Sequence, residues 1–295
     1  MKVIIEDFIT AVCSMKFWIA VAVIAVICFC AKINDPFGIS STAVYRLLLE
    51  QSKEDLLKLG EEYSSYYVAV LFRGNFWFAV IVPMVAAIPY INQFSDEWLT
   101  GYYFMRMHRA GRRTFYAMEK VFSAALIGFV TVCVGVLLYT AIVMFAFPSY
   151  DSYHLEAGEG LIAMAFGKTP WRRFIYFIRA LLHVGILGSI ASVISLILVP
   201  LLQDCFLALT VPMMICYLST HVENYYSMFL LQRYELNPPN AVNMLTLLIP
   251  STYVDLENSF FMWFGISHYF WFAYLLGLLG VLSVIMICIV KKRGA

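Results

Sequence analysis

Two long apolar stretches constrain the fold of this chain more than any other feature. Residues 121–147 contain no charged side chain, and residues 258–290 contain no Asp, Glu, Lys or Arg. A helix needs about 20 apolar residues to cross the roughly 30 Å hydrocarbon layer of a bilayer. The composition agrees, because only 13% of the residues are charged, against about 25% in soluble domains. The sequence therefore predicts an all-α, polytopic integral membrane protein.

Six segments are apolar enough to be predicted as transmembrane helices within a single transmembrane domain, 1–295. They are residues 17–31, 75–91, 121–147, 174–200, 205–221 and 264–290. Residues 1–16 repeat apolar side chains at helical spacing, which predicts an interfacial helix, although a plain extension of the first span is the alternative. Residues 222–257 contain Asn237, Pro238 and Pro239, which break a helix. They predict a re-entrant element, with an interfacial loop as the alternative.

The distribution of Lys and Arg predicts the orientation. Basic residues near span ends are densest in residues 93–120 and 291–293, and cytoplasmic loops carry an excess of basic residues. We therefore expect a multi-pass protein of the cell membrane, in contact with lipid, with both termini and residues 93–120 in the cytoplasm. Arg172, Arg173 and Arg179 oppose this orientation because they fall on the outer side.

The sequence does not favour enzymatic activity. Gly167, Lys168 and Thr169 resemble the end of a phosphate-binding loop, but position 162, where the first glycine should stand, is Ile162. The five histidines are scattered, and the seven cysteines lie mostly in apolar segments. We predict no catalytic residue, no metal and no cofactor bound by this chain. The net charge of +1 gives no indication of nucleic-acid binding.

The fourth predicted span contains a polar stripe. Ser189, Ser192 and Ser195 recur at helical spacing and fall broadly on one face of the helix. Small residues favour close packing of membrane helices, and a polar lining of a substrate path is the alternative. Arg179 and His183 lie one turn apart at the outer end of this span, where they could contact substrate or anchor the helix at the interface.

Residues 93–120 contain a motif that is specific enough to suggest a family. Glu97, Gly101, Tyr102 and Tyr103 form the pattern Glu-x-x-x-Gly-Tyr-Tyr, and Arg109, Arg112, Arg113, Tyr116 and Lys120 follow it. This segment resembles the membrane subunits of type-2 ABC exporters, the class that includes the G-subfamily half-transporters. Members have an N-terminal interfacial helix, six spans, a coupling helix between spans two and three, and a re-entrant element between spans five and six.

The resemblance implies roles for the residues of the motif. Residues 95–105 would form the coupling helix, which docks on a separate ATPase subunit, and Glu97 would tie it to neighbouring basic groups. The implied motor contact comprises Ser95, Asp96, Glu97, Gly101, Tyr102, Tyr103, Arg109, Arg112 and Arg113. The three arginines would steady the loop against the motor or lipid phosphates, although ordinary cytoplasmic positive charge explains them equally well.

The resemblance also implies a function and partners. The chain would be the permease subunit of an ATP-driven exporter of a peptide, drug-like or lipid-like substrate. An ABC ATPase subunit would bind ATP and Mg, and a second six-span permease, identical or different, would complete the path. The alternative is a non-transporting membrane sensor or assembly module that makes its contacts through residues 33–74 and 222–257.

Overall fold

The computed structural model describes residues 2–34, 41–50, 75–109, 113–146, 170–234 and 268–293. In these ranges the chain is predominantly α-helical. The elements, in chain order, are α1 (Lys2–Val12), α2 (Met15–Phe29), β1 (Lys32–Asn34), β2 (Ser41–Ala43), α3 (Val44–Glu50), α4 (Phe76–Leu99), α5 (Tyr102–Arg109), α6 (Arg113–Ala146), α7 (Pro170–Leu202), α8 (Cys205–Tyr234) and α9 (His268–Arg293). The strands β1 and β2 form an antiparallel pair, with Lys32 opposite Ala43.

Among the described residues, four helices are long and apolar enough to cross a membrane. They are Phe76–Leu99, Arg113–Ala146, Ala180–Leu202 and Cys205–Val222, and a fifth is gained if α1 and α2 count as one bent span. The prediction of a helical chain with several candidate membrane spans is confirmed. The predicted span 17–31 largely coincides with α2, and the described part of the predicted span 264–290, residues 268–290, lies within α9. The full number of six spans stays a prediction.

The bend between α1 and α2 is fixed by local hydrogen bonds. The two helices meet at 64°. Ser14 caps the start of α2, since its Oγ accepts from the Phe17 amide at 3.3 Å and donates to the Ala11 carbonyl at 2.6 Å. A serine in this position satisfies an amide that the helix itself leaves unpaired. The direction of α1 relative to the candidate span is therefore encoded locally.

The bundle has a hydrophobic cluster near each end. One cluster joins α2, α4 and α6 through residues such as Ile24, Phe78 and Val136. The second includes Ala11 of α1 and Val290 of α9, together with side chains of α4, α6 and α7. Because α1 and the end of α9 share this second cluster, both ends of the described chain lie at the same end of the bundle, which we call the α1 end.

The segment that joins the second and third predicted spans differs from the expectation of one helix over residues 95–105. The helix α4 continues through Glu97 to Leu99, and the break falls at Gly101, whose φ of 76° lies in the left-handed region that favours glycine. The helix α6 begins at Arg113 rather than near residue 121, so Lys120 is part of a helix. Residues 110–112 lie outside the described residues.

The fifth span also differs from its predicted end. The helix α8 runs from Cys205 to Tyr234, so it extends well beyond residue 221 and includes the first part of the predicted re-entrant region. The remainder of that region, residues 235–257, lies outside the described residues. Gln203 and Asp204 join α7 to α8, and the Asp204 carboxylate accepts from the Leu207 amide at 3.0 Å.

Candidate functional site: a buried cluster of four charges

Four charged side chains from four helices meet at the α1 end of the bundle. They are Asp7 of α1, Glu97 of α4, Arg106 of α5 and Lys120 of α6, and we call them the charge cluster. Two acids face two bases, so the formal charges cancel. Three members are almost fully buried, and the Arg106 side chain is 28% exposed. Ionised groups of this kind are tolerated away from water only when they are paired and hydrogen-bonded.

Lys120 forms the centre of the charge cluster. Its Nζ lies 2.9 Å from Asp7 Oδ2 and 2.8 Å from Glu97 Oε2, and its side chain is 1% exposed. Removing one partner of a buried ion pair is strongly destabilising, because the other charge is left uncompensated. Lys120 therefore links α6 to α1 and α4 at once.

Arg106 connects the short helix α5 to the same two acids. Its Nη1 donates to Asp7 Oδ1 at 2.8 Å and lies 3.3 Å from Glu97 Oε2. Burial lowers the pKa of the guanidinium, but the hydrogen bond to Asp7 and the charges of both acids outweigh burial and hold the pKa above its usual value. Arg106 is thus a permanent cation through which α5 is attached to its neighbours.

Two tyrosines complete the hydrogen bonds of the carboxylates. The hydroxyl of Tyr116 donates to Glu97 Oε1 at 2.8 Å, and that of Tyr90 donates to Asp7 Oδ2 at 3.2 Å. All four carboxylate oxygens of the charge cluster therefore have a partner. The rings of Tyr90 and Tyr116 also lie 5.9 Å and 5.7 Å from Lys120 Nζ, within range for cation–π attraction.

The turn between α4 and α5 is stiffened by hydrogen bonding and by stacked rings. The Thr100 hydroxyl donates to the Asp96 carbonyl at 2.6 Å. The rings of Trp98 and Tyr103 stack across the turn, with centroids 4.1 Å apart and planes inclined by 16°. Together with the left-handed conformation of Gly101, these contacts hold α5 at a defined angle to α4. The apolar side chains of Leu99, Phe104 and Met105 are left exposed.

The predicted motor-contact residues divide into several groups. Glu97 belongs to the charge cluster, Gly101 makes the turn and Tyr103 stacks on Trp98, while Ser95 is buried and Asp96 is exposed. Tyr102 is exposed, with its ring 5.7 Å from Arg106 Cζ. Arg113 is exposed at the start of α6. The Arg109 side chain and all of Arg112 lie outside what the structure describes.

Sequence reasoning did not identify Asp7 or Arg106 as site residues, and it placed Tyr116 and Lys120 only in the motif. A signal for Asp7 existed, since it is an acid inside a segment of apolar periodicity. Lys120 likewise directly precedes the uncharged segment 121–147. Ionisable residues at such positions are expected to face the protein and to have a partner, but the sequence alone does not identify that partner.

Four of the residues predicted for a substrate path lie inside the bundle. Ser189, Ser192 and Ser195 are buried, as is His183. Ser189 Oγ donates to the Ala125 carbonyl at 2.8 Å, and Ser192 Oγ donates to the Ala86 carbonyl at 3.2 Å. These bonds fasten α7 to α6 and α4. A substrate path along the serines stays a prediction, and the Arg179 side chain lies outside the described residues.

No family model matches this chain, and no curated protein or solved structure matches it either. Within the described ranges, no group of three or more His, Cys, Asp or Glu side chains is placed to hold a metal ion. The geometry of the charge cluster is therefore the main evidence on which a function can be proposed.

Proposed function

We propose that this chain is the permease subunit of an ATP-driven exporter and that α5 is the helix through which a partner ATPase moves the spans. One observation carries the proposal. The charge cluster joins α5 to α4 and α6, two of the candidate membrane spans, and to α1. Glu97, Tyr116 and Lys120 of the exporter-like motif meet in a single hydrogen-bonded group, which supports the resemblance to type-2 ABC exporters.

The charge cluster suits the transmission of force. Ion pairs away from water are strong and have defined geometry. Breaking one leaves an uncompensated buried charge, at a cost of about 3–5 kcal/mol. A displacement of α5 is therefore passed to α4 and α6 rather than absorbed by loosening of the contact. A rigid-body shift of these helices is one of the usual forms of switching between two states.

The exposed side of the α4–α5 turn offers a surface for the motor. Leu99, Phe104 and Met105 are apolar and exposed at the α1 end of the bundle. Clustered exposed apolar side chains are typical of protein contact sites. The ATPase subunit would bind ATP and Mg, and a second six-span permease would face this chain across the path. Both termini would lie in the cytoplasm, and the substrate would be a peptide, drug-like or lipid-like molecule.

Copurification tests the proposal. The full chain would be affinity-purified from its native membranes. The ATPase activity that copurifies with it would be measured for the Leu99→Ser and Leu201→Ser variants. The two leucines are 55% and 54% exposed, and Leu201 lies near the end of α7, which is also at the α1 end. We expect Leu99→Ser to lose the ATPase and Leu201→Ser to retain it. Absence of any ATPase with the wild-type chain would instead favour a membrane sensor or assembly module.

A further inference from the structure

The N-terminal helix α1 has three distinct sides. Asp7 and Ala11 are buried against the bundle, whereas Ile5 and Ile9 are 53% and 55% exposed. With 3.6 residues per turn, Ile5 and Ile9 form one stripe, which we call the outer stripe. The polar residues Glu6 and Thr10 are exposed on the next stripe. The apolar outer stripe therefore faces away from the bundle contact and borders the exposed polar side.

The placement of α1 identifies the chemistry that would cover the outer stripe. α1 leaves the apolar helix α2 at an angle of 64°. Directly after the bend, Trp18 and Ile19 are exposed apolar side chains of α2, and Lys16 is an exposed cation. An apolar stripe inclined away from a span, beside a basic residue, fits the boundary between acyl chains and anionic headgroups. The occupant that fits is the bilayer surface.

The sequence already predicts that this helix lies at the membrane interface, and we propose a further step: Asp7 couples the lipid contact of the outer stripe to the position of α5. The bilayer surface would thereby set the resting state of the helix that receives the motor. The importance of α5 for transport rests on the proposed function. The coupling between α1 and α5 does not, because it follows from the contacts of Asp7 alone.

The contacts of Asp7 make the positions of the two helices interdependent. Asp7 Oδ1 accepts from Arg106 of α5 at 2.8 Å, and Oδ2 accepts from Lys120 of α6 at 2.9 Å. If α1 moves away, Glu97 alone faces two cations, and the charge cluster acquires a buried net charge of about +1, which is unfavourable. Whatever holds α1 in place therefore also favours the docked position of α5, as linkage between two sites requires.

Hydrogen exchange tests the coupling without any ATPase. The full chain would be placed in nanodiscs of phosphatidylcholine and phosphatidylglycerol, and exchange of the backbone amides of α1 and α5 would be followed by mass spectrometry. We expect Ile5→Ser with Ile9→Ser to raise exchange about tenfold in both helices. The matched control, Glu6→Gln with Thr10→Ser on the polar side of the same helix, should leave both rates unchanged.

A second variant isolates Asp7 itself. Asp7→Asn should raise exchange in α5 while the outer stripe is intact, and Asp7→Glu should restore the wild-type rate. Faster exchange in α1 with an unchanged rate in α5 in the isoleucine variant would overturn the coupling. Unchanged exchange in both helices of the isoleucine variant would overturn the lipid contact. The lipid contact would also be overturned if the protection of α1 depended on a copurified protein and not on lipid. Neither result would bear on the proposed contact between Leu99 and the ATPase, which the copurification experiment tests separately.

Discussion

Lys120 Nζ lies 2.9 Å from Asp7 Oδ2, although the two residues are 113 positions apart in the chain. The same ammonium lies 2.8 Å from Glu97 Oε2. One buried cation thus fastens the N-terminal helix, the end of α4 and the start of α6. A contact of this kind has two states, paired or broken, because partial separation leaves charge without a counter-charge in a dry environment.

The first prediction concerns Lys120 itself. Lys120→Met leaves Asp7 and Glu97 with Arg106 as their remaining cation, and we expect the free energy of unfolding to fall by about 3–5 kcal/mol. The measurement is denaturant or thermal unfolding of the purified chain in detergent. Lys291→Met, at an exposed position at the end of α9, is the control and should leave stability unchanged. Equal stability of the two variants would rule out a structural ion pair at Lys120.

The second prediction concerns the hydroxyl of Tyr116, which donates to Glu97 Oε1 at 2.8 Å. Tyr116→Phe keeps the ring and removes this hydrogen bond to a carboxylate, so we expect a loss of about 2 kcal/mol of unfolding free energy. Tyr102→Phe removes a hydroxyl from an exposed ring and should have no measurable effect in the same unfolding assay. A loss confined to Tyr102→Phe would contradict the hydrogen bonding described for Glu97.

Local sequence reasoning identified some members of the site and missed others for a physical reason. Glu97 is recognisable because it stands in one motif with Gly101 and Tyr102, and its contact partners Tyr116 and Lys120 follow 19 and 23 positions later. Asp7 is recognisable only in part, because helical spacing places it, and not its exposed neighbour Glu6, on the apolar face with Ile4 and Phe8. Its ion-pair partners, Arg106 and Lys120, lie 99 and 113 positions away, and no local pattern identifies contacts across such distances.

The third prediction concerns the turn at Gly101, whose φ is 76°. Gly101→Ala meets no other atom within 4 Å, so only backbone strain opposes it, at about 1–2 kcal/mol. We expect the angle between α4 and α5 to change, and we expect the ATPase subunit no longer to copurify with the chain. Gly277→Ala is the control, because Gly277 lies in a helix and also has open space around it. Retention of the ATPase by Gly101→Ala would show that this turn is not needed for the contact.

The fourth prediction concerns the close packing of α6 and α7. A Cβ at Gly128 would collide with Ser192 Oγ and lie 2.6 Å from the Gly188 carbonyl oxygen. Because that oxygen is backbone and cannot turn aside, Gly128→Ala should lower the unfolding free energy by about 1–3 kcal/mol. Gly280→Ala, with nothing within 4 Å, is the matched control. Equal melting temperatures of Gly128→Ala and Gly280→Ala would mean that α6 and α7 do not pack at this distance.

The fold was predictable where the sequence left few alternatives. Long segments without charge give the approximate positions of α4, α6, α7 and α8, because such segments are stable mainly as membrane or buried helices. The ends of α4 and α6 were not predictable in the same way. Polar residues such as Glu97 and Lys120 would ordinarily mark the limit of a span, yet here they continue the helices because each neutralises the other inside the bundle.

Hydrogen exchange with and without ATP, in the complex of the full chain with its copurified ATPase, tests the central claim most directly. Glu97→Ala removes the acid through which α4 holds Lys120 and Arg106, while Asp96→Ala removes its exposed neighbour. We predict that ATP changes exchange in α4 and α6 of the wild type and of Asp96→Ala. In Glu97→Ala, ATP hydrolysis should continue but exchange in α4 and α6 should no longer respond to ATP. An undiminished response in Glu97→Ala would contradict transmission through the charge cluster.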